Sequence, residues 1–240
     1  MSLRRPLRVA LSFFLTSVAL SLAAAETAKS GASPEALKAA GLTSAQLLAG
    51  AKTGLGMLVD YAAADMAKPG AVNVSAPSSM AKLESALKRL NQSAAFDSFK
   101  ASLNQSAVSV APQTTAILKG AIGPLTLADA SSLLGGAPDS ATKLLRKTAE
   151  TNLRTKLMPL VAQAIAANGT AAKAKDLLAK AGPMAAMMGV PSVGDLENHV
   201  LNQVLETSFG YLAKQEAAVR ANPAALKDAF AAKVFASAKK

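Results

Sequence analysis

From Thr43 to Val234 the apolar residues of this chain recur every three or four positions, and no useful run alternates apolar with polar. That period belongs to helices burying one face, and its persistence leaves no segment suited to a sheet. Leu47, Ala51, Leu55, Leu58 and Val59 form one stripe. Phe96, Phe99, Leu103, Ala107 and Val110 form a second, and Leu145, Leu153, Leu157, Val161 and Ile165 a third. Leu196, Val200, Val204, Phe209 and Leu212 form a fourth. The expected fold is all-α, a single-domain irregular bundle of about eight to ten helices, with abundant alanine allowing close helix packing.

Helix-stopping and helix-starting residues divide the chain. A short turn is expected after Ser33-Pro34, and Thr43 with Gln46 has the spacing of a capping box. Pro69, Gly70 and Pro77 mark residues 68–78 as a loop, followed by a helix over 79–90. Pro112 is expected to end a helix over 94–110, with another over 113–122. Thr126 and Asp129 resemble a cap for 127–134, ended by Gly135-Gly136. Asp139 is expected to cap a long region reaching Asn168, with Pro159 kinking or splitting it. Helices over 173–181 and 193–221 follow, separated by a loop over 182–192. Asn222-Pro223 should then restart the chain as a final helix with Leu226, Phe230 and Val234 on one face.

The first 25 residues read as a secretory signal peptide. Arg4, Arg5 and Arg8 precede an apolar run from Val9 to Leu22, and Ala23-Ala24-Ala25 offers small residues for cleavage. The run is short for a membrane span, which needs about 20 residues. The expected organisation is a signal peptide over 1–25, a loose leader over 26–41 and a helical domain over 42–240. Export to a periplasmic or external compartment follows, with no spanning segment in the mature chain.

Composition removes several functional classes. No cysteine is present. Disulfides, thiolate metal sites, cysteine nucleophiles and a lipoprotein anchor are therefore all excluded. The net charge is +11, and removing the three leader arginines leaves +8. A basic surface favours anionic partners. Aromatic residues are only 4% of the chain and tryptophan is absent, so stacking platforms for nucleic acid are scarce and nucleic acid is not an expected partner.

No catalytic constellation, metal site or cofactor site emerges. His199 is the only histidine, and a surface pairing with Asp195 is expected for it. Residues 135–143 superficially resemble a phosphate loop but lack the glycine-lysine-serine/threonine order and a preceding strand. Lys143, Arg146 and Lys147 lie in the first turns of a helix whose amides could hold an anion, and Arg154 and Lys156 extend that basic surface. Glu206 and Glu216 read as helix-face charges. Met184, Met187 and Met188, in a loop bounded by Gly182 and Pro191, could line an adaptable apolar groove.

Three stretches carry a family resemblance: residues 127–136 leading into Asp139-Ser140-Ala141-Thr142, then Lys156-Leu157-Met158-Pro159-Leu160-Val161, then residues 215–224. In this order and spacing they resemble the uncharacterised bacterial family called domain of unknown function 4197. The resemblance implies an exported, helical envelope protein with no assigned activity or site residues. The chain departs from the family pattern at Gln105, at Val108, at Leu144-Leu145 and in the loop Lys68–Pro77.

The expected function is non-enzymatic. The leading expectation is a protein whose basic surface contacts an anionic envelope lipid or an envelope protein. The alternative is a carrier that encloses an apolar, lipid-like ligand between its helices behind the methionine loop. An enzyme using carboxylates and His199 ranks third.

Overall fold

The computed structural model describes residues 34–182 and 191–236. Among them are nine α-helices and no strand: α1 (Pro34–Ala40), α2 (Ser44–Met66), α3 (Ala81–Arg89), α4 (Ser93–Ile122), α5 (Leu127–Ser131), α6 (Ser140–Ala167), α7 (Thr170–Ala181), α8 (Val193–Ala221) and α9 (Ala229–Phe235). The all-α expectation holds. Met184, Met187 and Met188 lie outside the described residues, as do residues 1–33.

Four long helices organise the core. α4 packs along α6, α6 against α8, and α2 against both α8 and α4. Their apolar stripes meet in one cluster in which Leu47, Leu55, Phe99, Leu103, Leu145, Leu157, Val200 and Leu212 have no exposed surface. Each such side chain contributes about 1.5–3 kcal/mol through burial. The short helices cover what remains: α9 and α5 lie on α2, and α7 on α4.

Local chemistry sets most element ends. Gln46 and Thr43 exchange side-chain and backbone hydrogen bonds at the start of α2. Gly41, at φ 60°, closes α1 with a bond from the Leu42 amide to the Leu37 carbonyl. Thr126 and Asp129 form the expected box, but α5 ends at Ser131. The chain then tightens into i→i−3 bonds, Leu133 to Ala130 and Leu134 to Ser131.

Two prolines behave differently from the sequence expectation. Pro112 does not end a helix, because α4 runs unbroken from Ser93 to Ile122, and Pro159 does not split α6. Both are exposed. A proline without an amide frees the carbonyl four residues back. On an exposed face water can solvate that carbonyl, and packing on the opposite face holds the helix together. The last helix is also corrected: it begins at Ala229, with the Asp228 carboxylate accepting from the Ala231 amide at 2.7 Å. Ala231, Val234 and Phe235 are its buried residues, and Phe230 is 36% exposed.

α9 sits close to α2 because Gly50 and Gly54 have no side chains there. A β-carbon at Gly50 would come within 2.6 Å of the Phe230 carbonyl carbon, and one at Gly54 would collide with the Phe235 ring. The spacing of four places both glycines on one face.

Candidate functional site

Two regions stand apart from the ordinary core. The first is a buried ionic anchor. Glu216, on α8, has no exposed surface, and its carboxylate accepts from the Ala141 and Thr142 amides and the Thr142 hydroxyl, each at 2.8 Å. Those amides are free donors at the start of α6. Glu216 therefore caps α6 from another helix, where the helix dipole also favours negative charge. Arg220, one turn on, donates to Glu216 at 3.0 Å and to the Ser140 hydroxyl at 2.7 Å, and its guanidinium lies 5.2 Å from the Phe235 ring centre.

The anchor corrects two sequence expectations. Glu216 is not a helix-face charge, and Asp139 makes no side-chain cap. Asp139 instead pairs with Lys143 at 2.8 Å, and Lys143 holds its carboxyl below the ordinary 3.8. The amides expected to be open to an external anion at the start of α6 are filled by the chain's own carboxylate. Gly136 is part of the same arrangement, since a β-carbon there would come within 2.5 Å of the Ser140 hydroxyl oxygen.

The second region is an apolar cleft of about 560 Å³. The last turn of α2 supplies Ala63 and Met66, and its C-cap supplies Ala67. The following loop supplies Lys68, Pro69, Gly70 and Val72. The middle of α4 supplies Val108, Ala111, Pro112 and Thr115. The size lies within the range of small-molecule pockets. Val108 is 53% exposed, a large apolar side chain left without helix cover.

The loop wall is held from three sides. Asn104 of α4 accepts from the Val74 amide at 2.5 Å. Tyr211 of α8 donates to the Ala71 carbonyl at 3.3 Å. His199 bonds the Ser75 carbonyl through Nε2 at 2.7 Å. The expected His199–Asp195 pair is thus replaced: Asp195 closes a capping box with Ser192 at the start of α8. Sequence spacing within one helix could not show that His199 faces a loop more than a hundred residues earlier.

Among the described residues, Lys68 is the one charged side chain lining the cleft. Its ammonium bonds the Asp65 carboxylate at 2.5 Å, while Gln215 donates to the other oxygen at 2.7 Å and Lys214 lies 3.5 Å from it. The Lys68 hydrogen bond is the largest influence holding Asp65 below its ordinary pKa of 3.8.

The basic residues on α6 are distributed as follows. Arg146 makes a two-pronged pair with Glu206 of α8 at 2.8 and 2.9 Å and stacks 4.4 Å from the Phe209 ring centre. That pair raises the Arg146 pKa and lowers that of Glu206. Arg154 bonds Glu150 and, at 2.7 Å, Asn202 of α8. Lys147 and Lys156 are exposed. Helical spacing puts Lys143, Arg146, Lys147 and Arg154 on one flank together with Glu150, and Lys156 on another. Among the described residues there is no group of three or more acidic or histidine side chains placed to hold a metal. No described helix is long and apolar enough to cross a membrane.

The model of a family described as "Protein of unknown function (DUF4197)" matches residues 41–236. The chain belongs to that family. No curated protein and no solved structure matches it. Two of the three stretches that carried the resemblance meet at the anchor: Ser140, Ala141 and Thr142 from one, Glu216 and Arg220 from the other. In this member of the DUF4197 family, Val108 and the loop residues Lys68, Pro69, Gly70 and Val72 line the same cleft.

Proposed function

We propose that this DUF4197 protein is an exported, non-enzymatic binding protein that holds the apolar part of a small amphiphile between α2 and α4. The observation that carries this reading is the cleft itself. It combines a volume of about 560 Å³ and nearly all-aliphatic walls with Val108 left 53% exposed. Solvent-facing apolar surface of this kind stays unfavourable until something covers it. The cleft owes none of its lining to Gly182, Pro191 or Ser192.

Titration with a fluorescent fatty-acid probe tests the proposal. The expected result is saturable binding at one site, abolished by Val108→Trp, which would fill the cleft from an exposed position. Equal binding by the variant, or no binding by the parent protein, overturns it.

A second reading keeps the basic flank of α6 as a contact for an anionic envelope lipid or an envelope protein. It is supported by the shared orientation of Lys143, Arg146, Lys147 and Arg154. The engagement of Arg146 and Arg154 with Glu206, Glu150 and Asn202 weakens it. Co-sedimentation with anionic vesicles at low salt tests it, and protein remaining in the supernatant at every salt concentration overturns the lipid version.

A further inference from the structure

We propose that the amphiphile carries an anionic head, a carboxylate or phosphate group, and that Lys68 receives it. This deepens the binding reading above and rests on it.

The inference comes from the charges around Asp65. Two ammonium groups, Lys68 and Lys214, share one carboxylate, so the edge of the cleft keeps one uncompensated positive charge. The Lys68 side chain is 70% exposed while that of Asp65 is 13% exposed. The lysine therefore has open space to turn into once it exchanges its bond to Asp65, and the carboxylate does not. Asp65 does not depend on Lys68 alone, because Gln215 and Lys214 reach its other oxygen. When Lys68 swings toward a bound anion, Asp65 keeps a hydrogen bond and a cation. Transfer of Lys68 therefore leaves no carboxylate without a partner, the usual penalty for breaking such a pair.

Lys68 also stands at the right place. It follows the Ala67 C-cap of α2 and lines the cleft next to Met66 and Pro69. An aliphatic tail lying against Val108 and Ala111 would bring its head to the loop side, where Lys68 is the charged side chain among the described lining residues. Long lysine stems lie along apolar surface with the charge at the rim, which suits a ligand that is apolar at one end and charged at the other.

The test compares three ligands of one chain length, dodecanoate, dodecanol and dodecyltrimethylammonium, each below its micelle concentration, by displacement of the fluorescent probe. Dodecanoate should bind about threefold to fivefold more tightly than dodecanol at low salt, with the gap narrowing as salt rises. The cationic ligand should bind most weakly. Lys68→Gln should erase the preference for dodecanoate and leave dodecanol affinity unchanged. Asp65→Asn should widen the preference, because Lys68 then has no competing carboxylate. Inorganic phosphate, which lacks a tail, should not displace the probe. Equal affinity for dodecanoate and dodecanol, or a preference that survives Lys68→Gln, overturns the inference while leaving the cleft as a binding site. Failure of all three ligands to displace the probe overturns both.

Discussion

The buried anchor and the apolar cleft invert each other's chemistry. At the anchor, a carboxylate and a guanidinium are shut away from water and every donor has an acceptor. At the cleft, aliphatic side chains face solvent beside an exposed lysine paired with Asp65. A buried charge persists only when fully partnered, so the anchor reads as architecture. An apolar hollow open to water is unfavourable until something covers it, so it is the candidate for binding. Within one molecule, charge marks the structural joint and greasiness marks the candidate site.

Glu216→Leu is the sharpest way to break that contrast. It leaves Arg220 buried without its carboxylate and uncaps α6. The expected loss is about 3–5 kcal/mol in urea unfolding. Probe affinity of the protein that remains folded should not change. A loss under about 1 kcal/mol would mean that the anchor is not a structural joint.

Gly54→Val comes next, because its side chain would collide with the Phe235 ring. Overpacking of this kind destabilises by about 1–3 kcal/mol, read by thermal melting. Val108→Trp should show the opposite profile, with stability within about 0.5 kcal/mol of the parent and probe binding gone. If Val108→Trp destabilised the fold as much as Gly54→Val, the exposed wall would belong to the core.

Acidification should give the smallest effect. Asp65 has its pKa lowered from 3.8, chiefly by Lys68, so the folded state favours its charged form. Its contribution is present above the unfolded value and fades as pH falls through the lowered one. Asp65→Asn should therefore flatten the fall in melting temperature between about pH 5 and pH 2. An unchanged slope would show that the Lys68–Asp65 pair adds nothing to stability.

Helical class, the four long stripes and two of the three capping boxes were legible in the chain, because each depends on residues within four positions of one another; the third, Ser192 with Asp195, was missed because Asp195 was assigned to His199. The prolines misled for the same local reason. A proline's effect depends on whether its freed carbonyl faces water or a neighbouring helix, and spacing does not reveal that. The cleft was present only as hints: a Pro/Gly loop after α2 and Val108 one residue beyond the buried Ala107.

The sequence alone determined that the chain is helical, which faces are apolar and that thiol chemistry is absent, since these follow from composition and short-range period. Only the tertiary structure decided that Glu216 caps α6 across 75 residues, that His199 serves the Ser75 carbonyl, and that α2 and α4 leave a hollow between them. Those outcomes depend on how separate helices lie against one another. Such placement is set by the packing of whole faces, in which no single residue carries the information.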